Sequence, residues 1–527
     1  MRRFLSFLLL FSCWTAVLCD VLKDLSGGFC RSWRFATNIS NRKFRMMDLD
    51  GGLIPGDLNS THNYMIEIDL SQDQDLTNGA SYPMSLVDKA VPIIKDQAWW
   101  PNQDGSKIFL YGGRGASNTQ VDDGIWEYHT QTNTWHRQPV GSRPIRLAGG
   151  AYANAPAIQA AYWIGGYQSS DTTPEITDDK KIYPSGMMML NTTTNEIRNI
   201  TTPFGSTQGG AVVFLPTPGM GSLVYIGGEV VKTGTSSAGT PRPMSSVWVF
   251  DVASETWFEQ DVVGDALARQ EFCAVSASDG NGGWHLYIMG GADYNKHVVT
   301  SEISMLAVPS FKWYSTGTWF TPRMSINCEI VGKQLLAVGG RLALANGAEA
   351  GCYGTPVLNW DLNQRATVST WDSSEPTYSP AASIVSDTSA TPTPSKWAGA
   401  LKEVFFPSKA SASGSSATGT ATGTAAAAAK SSSNTAAIAG GVAAGVVVLI
   451  ALGVGIFFYR RRHQQQKPKE GNVASTESLR EPMYCKAELS NERDPQEMDG
   501  LGQKSTGFVP APPPQEMEVP LPMQPSG

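Results

Sequence analysis

Residues 286–291 read LYIMGG, a run of aromatic and aliphatic residues that ends in two glycines. Residues of this kind favour extended strands that pack on both faces. A glycine pair at the end of such a run supplies backbone angles that a Cβ would obstruct. The same pattern returns along the chain as FRMMDLDGG (Gly51, Gly52), IFLYGG (Gly112, Gly113), AYWIGG (Gly165, Gly166), LVYIGG (Gly227, Gly228) and LLAVGG (Gly339, Gly340), with Gly290 and Gly291 closing the run quoted first. Successive pairs lie 49 to 63 residues apart. A period of this size marks a repeat architecture in which one supersecondary unit is copied.

Two further elements fill the unit. Four of the glycine pairs are followed by bulky apolar residues seven positions apart: Tyr128 and Trp135, Leu190 and Ile197, Phe250 and Trp257, Leu306 and Trp313. Polar turn residues separate them, as in YHTQTNTW, so the two meet on one face of a hairpin. Upstream, Arg34, Arg146, Arg269 and Arg323 stand 16 to 21 residues before a glycine pair, each opening a short strand-like segment. The unit is therefore four strands. A lone sheet of that size leaves its faces bare, whereas radial stacking lets each sheet cover the next. No sustained helical period runs through residues 20–375, so the expectation is an all-β, six-bladed propeller over 20–375.

The strings YGG, YIGG and IMGG, with a hairpin ending in Trp, resemble kelch repeats. The layout is also similar to a group of single-pass kelch-propeller surface proteins of filamentous fungi, whose first repeat carries Phe-Cys-Arg leading to Asp-Gly-Gly. Phe29-Cys30-Arg31, Asp50-Gly51-Gly52 and Trp100-Pro101-Asn102 match that layout. The chain departs from the pattern in three places: the first repeat lacks the hairpin Trp, the third has Ile197 there, and the sixth ends irregularly at Trp371.

Outside the repeats, two apolar segments set an expected topology. Arg2-Arg3, the apolar run Phe4–Leu18 and small residues Val17 and Cys19 read as a signal peptide over 1–19. The uncharged run 436–459 would reach about 36 Å as a helix, enough for a hydrocarbon core of about 30 Å. Arg460-Arg461-Arg462 follow it and put the C-terminal side in the cytosol. The expectation is a type I glycoprotein of the plasma membrane or another secretory-pathway membrane, embedded in the lipid bilayer. Residues 376–407, with Trp397, Leu401 and Phe405 at helical spacing, form an extension. Residues 408–435 are a Ser/Ala/Thr/Gly stalk, and 460–527 a disordered tail. Gly441 and Gly445 have the spacing that brings two membrane helices together as a homodimer. The run Pro510–Pro514 suits an SH3 or WW domain.

Sequons place N-glycosylation at Asn38, Asn59, Asn191 and Asn199. Cys30, Cys273, Cys328 and Cys352 precede the span and Cys485 follows it. Four cysteines allow three full pairings. Closure of the local loop in the sixth repeat makes Cys328–Cys352 the favoured disulfide, with Cys30–Cys273 or free thiols for the rest.

The chemistry is sparse. No G-x-S-x-G elbow, Walker loop or H-E-x-x-H occurs, and no catalytic, cofactor or metal residue is assigned. His62, His129, His136, His285 and His297 are scattered, although His129 and His136 straddle one hairpin turn. The repeat accounts for Asp48-Leu49-Asp50 better than a calcium loop, which needs a longer ligand ladder. Arginines that recur in repeat after repeat serve a structural role. Trp99-Trp100 reads as packing ahead of a carbohydrate platform. A charged fraction of 17% with net charge −7 excludes nucleic acid as a partner. The expected function is a non-enzymatic surface module that binds a protein or glycan, its loops 168–186 and 230–244 offering the contacts. A membrane-tethered oxidase or glycan-active enzyme is the alternative; kelch-like copper oxidases need paired Tyr and His ligands. A structural or polarity protein acting through its tail is the third.

Overall fold

The computed structural model describes residues 23–29, 36–50, 61–115, 124–138, 146–173, 175–178, 180–231, 239–319, 321–342 and 354–408. The expected signal peptide, the stalk beyond Ser408, the membrane span and the tail lie outside these residues, as do Cys30, Arg34, Gly51, Gly52, Asn59 and Cys352. No helix among the described residues is long and apolar enough to cross a membrane.

The described chain is mostly strand. It contains six four-stranded antiparallel sheets, numbered 1 to 6 here, within residues 36–86, 94–138, 151–200, 211–261, 273–318 and 327–368. Each sheet runs in sequence order from a first to a fourth strand. The first strands are Ala36–Ser40, Ile94–Pro101, Ala151–Ala155, Ala211–Leu215, Cys273–Ser278 and Asn327–Val331. Each neighbours the first strand of the next sheet, and that of sheet 6 returns to that of sheet 1. The second strands Ala160–Ile164, Ser222–Ile226 and Gln334–Val338 are buried at every position. Their continuous apolar runs follow from being covered on both faces.

The glycine pairs make the junctions. At the end of the second strand of sheet 3, Gly165 and Gly166 have φ of 68° and 89°. A Cβ on Gly165 would lie 2.3 Å from the carbonyl oxygen of Thr207, which precedes the first strand of sheet 4, and one on Gly166 2.4 Å from that of Ala148. The turn therefore admits only glycine. The Gly166 N–H donates to Thr207 O at 2.7 Å, and the equivalent bonds Gly113 N to Leu147 O, Gly228 N to Arg269 O and Gly291 N to Arg323 O tie the other consecutive sheets from 2 to 6. The repeated arginines reinforce these turns. Arg146, Arg269 and Arg323 are buried, and their guanidinium groups donate to the carbonyls of Gly112, Gly290 (3.2 Å) and Gly339 (3.0 Å). The hairpin pairs read from spacing are direct register partners: Tyr128 with Trp135, Leu190 with Ile197, Phe250 with Trp257 and Leu306 with Trp313. Trp99 and Trp100 are buried, at 1% and 0% exposure, which makes them packing residues.

Two expectations need correction. Cys328 is bonded to Cys273, not to Cys352, with Cα atoms 5.6 Å apart. The reason is radial stacking: Cys273 and Cys328 stand on the adjacent first strands of sheets 5 and 6, so the neighbour in space comes from the preceding repeat. Asn38 is 3% exposed on the first strand of sheet 1 and accepts a hydrogen bond from Ser40 Oγ at 3.2 Å, so it lies inside the ring of sheets and not on the outer surface where a glycan is carried. Asn191 is half-buried and Asn199 exposed.

Trp371 does not end the fourth strand of sheet 6. It belongs to Thr370–Trp371, which pairs with Gln74–Asp75 of the first repeat. The chain then forms two helices, α1 (Ala382–Ala390) and α2 (Leu401–Phe405). The spacing of Trp397, Leu401 and Phe405 works as read: Leu401 and Phe405 are buried against Val213, Phe311 and Trp313.

Candidate functional site

The first strands enclose a cavity of about 890 Å³, and all six of them contribute to its wall. The volume falls in the range of ligand sites, about 300–1,000 Å³. The long segments after the glycine pairs rim one side of it, through Tyr167, Lys181 and Tyr183 after sheet 3's pair, Glu229 after sheet 4's and Tyr294 after sheet 5's. The loops 168–186 and 230–244, singled out by length, thus arrive at this rim. They are anchored there: Glu229–Val230 pairs with Thr207–Gln208 on one side and Thr240–Pro241 on the other. Tyr167, Tyr183 and Val231 pack with Ala148 beneath.

A collar of left-handed backbone leads into the cavity. Asp96, Gly149, Gly209, Glu271 and Ser325 occupy the same place in sheets 2 to 6, with φ between 54° and 66°. Their backbones are linked in series: Gly209 N donates to Gly149 O (3.1 Å), Glu271 N to Gly209 O (2.9 Å) and Ser325 N to Glu271 O (2.7 Å). Glycine takes this conformation freely, whereas Asp96 and Glu271 adopt it against a local cost of about 1–3 kcal/mol. Both side chains are held. Asp96 pairs with Arg114 Nε at 2.9 Å. Glu271 accepts from Tyr294 Oη at 2.7 Å and from Ser325 Oγ.

Two more carboxylates face the cavity. Glu229 accepts from Gln208 Nε2 and, at 3.2 Å, from Gln270 Nε2. Burial raises its pKa, the amides oppose that, and Glu271 adds to it while Lys181 works against it. Deeper, Glu329 accepts from Thr37 Oγ1 at 3.0 Å. Burial pushes its carboxyl up to about 7, opposed by the Thr37 hydroxyl. Tyr152 stands beside it and has its phenol raised by burial first and by Glu329 second.

Amides complete the lining. Gln97 is 2% exposed, and neither Oε1 nor Nε2 has a hydrogen-bond partner. Asn38 Nδ2 and Asn154 Oδ1 are likewise unpaired. A buried, unpaired polar atom costs about 1–3 kcal/mol, and water or a ligand in the cavity can satisfy these atoms. The arrangement offers charge and hydrogen-bond recognition in a recess, with donors and acceptors mixed.

His129, His136 and His285 lie outside the lining. His129 and His136 do meet across the hairpin of sheet 2, ring centroids 4.7 Å apart, but His129 pairs with Glu127 and His136 Nε2 lies 3.2 Å from Thr134 Oγ1. His285 Nδ1 lies 2.6 Å from Tyr378 Oη, which lies 2.8 Å from Tyr287 Oη. This Tyr/His group is buried where the C-terminal extension crosses sheet 5, away from the rim. Among the described residues no three His, Cys, Asp or Glu side chains converge as metal ligands. Gln97, Asn154, Glu271 and Glu329 carry no motif. For Asn154 and Glu329 the signal is a polar residue inside a short apolar strand, AYANA (151–155) and NCEIV (327–331), whereas Glu271 lies in the bend ahead of Cys273–Ser278.

Residues 102–340 match the family model of the KLHDC2/KLHL20/DRC7 kelch-repeats domain. No curated protein matches the chain. Among solved structures, one titled "Structure of YjhT" aligns with 64% of this chain and 97% of its own at 14% identity, with a TM-score of 0.46.

Proposed function

With residues 102–340 identified as kelch repeats of a β-propeller, we propose that the protein is a six-bladed, non-enzymatic binding module held at a cell surface. Each four-stranded sheet counts as one blade in this reading, supported by the cyclic adjacency of the first strands. The observation that carries the function is the cavity inside the ring, rimmed by the long loops of consecutive repeats and lined by unpaired amides. Loops on a rigid scaffold are where binding residues concentrate.

Surface display rests on the sequence: a signal-like segment at 1–19, an uncharged apolar run at 436–459 and three arginines after it. In this reading the propeller faces outward, Asn191 and Asn199 carry glycans and the tail faces the cytosol. Epitope tags after residue 20 and at the C-terminus test the topology. On intact cells a protease should remove the first tag and spare the second; the reverse, or protection of both, would refute surface display. The non-enzymatic part is tested by elemental analysis of the purified protein. Stoichiometric copper or another transition metal would move the assignment to the oxidase alternative.

A further inference from the structure

The first strand of sheet 6 is tied differently on its two sides. Successive residues of a strand point to opposite faces of the sheet. Cys328 turns to sheet 5, where it is bonded to Cys273. Glu329, the next residue, turns to sheet 1 and accepts from Thr37 Oγ1 at 3.0 Å. That second contact crosses the seam between the last sheet and the first.

A third sheet reaches the same spot. Tyr152 stands on the first strand of sheet 3, which is adjacent to neither sheet 1 nor sheet 6. Its phenol is hydrogen-bonded to the main chain of Thr37 and the side chain of Asn327, and it feels the charge of Glu329. Sheets 1, 3 and 6 thus meet through four residues of the cavity wall.

Glu329 has no counter-charge there. Sheet 1 offers it the Thr37 hydroxyl and sheet 3 the Tyr152 phenol. Its own strand brings the neutral Asn327, and toward sheet 5 the cysteines are joined in a disulfide. Among the described residues no basic side chain acts on it. The charged groups at the rim, Glu229, Glu271 and Lys181, act on one another instead. A carboxyl buried without a base is more stable neutral than charged.

We propose that Glu329 is the proton switch of a latch across the inside of the ring: protonated, it lets Thr37 and Tyr152 close the seam between sheets 6 and 1, and ionised, it draws water into that seam and loosens it. The cavity wall is then tight in acid surroundings and parted at one seam in mildly alkaline ones, while the seam between sheets 5 and 6 stays covalently shut. The sign follows from linkage. The folded carboxyl keeps its proton to a higher pH than the unfolded one, so the stabilisation is full below about 4.5 and is lost as pH rises through about 7.

The test compares denaturant unfolding of the purified full-length chain and of Glu329→Gln. The ratio of wild-type to variant unfolding constants should rise at least about tenfold from about pH 5 to about pH 8. Taking the ratio cancels His285, which titrates in the opposite sense. Hydrogen exchange locates the loss: protection of Ala36–Ser40 and Asn327–Val331 should fall with rising pH more than that of Ala211–Leu215 in sheet 4. Tyr152→Phe should lower that protection already in acid. If Glu329→Gln does not fold, Thr37→Val takes its place: without the hydroxyl that opposes the rise, the transition should move to higher pH. A flat ratio, an unmoved transition in Thr37→Val, or protection lost equally from all six first strands would overturn the proposal.

Discussion

The junction between sheets 3 and 4 and the junction that closes the ring between sheets 6 and 1 hold neighbouring sheets by different means. The first adds main chain to its side-chain packing: Gly166 N–H donates to Thr207 O, and the two glycines allow the approach, over a cluster that includes Tyr162, Ile164, Leu223 and Tyr225. The second adds side chains supplied from both ends of the propeller. Trp371 is completely buried among Leu25, Phe29 and Phe44 of the first repeat and Leu336 and Val338 of the sixth. Its Nε1 donates to Leu70 O at 3.0 Å. Arg42 donates to Ser373 O at 2.6 Å and pairs with Glu375 at 3.4 Å. Consecutive sheets are also joined by the chain itself, whereas sheets 6 and 1 are joined only by contacts. The difference teaches where single residues matter: the 3–4 junction has a main-chain bond and a chain connection besides its packing, and the closing junction depends on Trp371 and its neighbours.

The largest expected effect is at the closure. Trp371→Ala should cost about 3–5 kcal/mol, lower the melting temperature and raise protease sensitivity in sheets 1 and 6 before sheets 3 and 4. Uniform loss across the ring would contradict the contrast drawn here. Next is the disulfide between sheets 5 and 6, an ordinary junction that carries an added covalent tie. Cys273→Ser with Cys328→Ser should cost about 2–4 kcal/mol by denaturant melting, with ring closure retained as read by unchanged protease resistance of sheets 1 and 6.

A third effect depends on pH. Burial depresses the His285 pKa from 6.5 to about 4, with Asp279 opposing. The unfolded chain therefore binds the proton more readily than the folded one between these values, so stability is full above about 6.5 and falls as pH drops toward 4. The loss should reach about 3 kcal/mol at one pKa unit per 1.36 kcal/mol. His285→Gln should flatten that part of the stability–pH profile; an unchanged slope would show that protonation of His285 is not what sets it. The smallest effect is Arg42→Ala, at most about 1 kcal/mol because the Glu375 pair is exposed. A larger loss would mean that the Ser373 carbonyl bond, not the ion pair, holds the strand in place.

Much of the repeat was legible in the chain because it is written in local geometry. The glycine pairs mark turns that a Cβ would block, and the seven-residue pairs are cross-strand partners. The Cys273–Cys328 bond was not legible, since the repeat unit pairs in space with the next unit and not with itself. The strand Thr370–Trp371 escaped for a similar reason: its partner, Gln74–Asp75, is almost the whole length of the ring away in sequence. The site was legible only in part. Loop length pointed to segments 168–186 and 230–244. Gln97, Glu271 and Glu329 acquire meaning only when six strands that are distant along the chain are arranged around one axis.

The extension bears on how the protein would carry load. If the segment beyond Ser408 tethers the propeller to a membrane, tension enters at α2. There it meets the packing of Leu401 and Phe405, then the contacts of Asp387 with Lys312 and Tyr314, then Tyr378 against His285, before it reaches Trp371. The helices act as a strain relief, like the clamp on a cable. A pull on the anchor would be spent on peeling the extension from sheets 4 and 5 before any force reached the contacts that keep the ring shut.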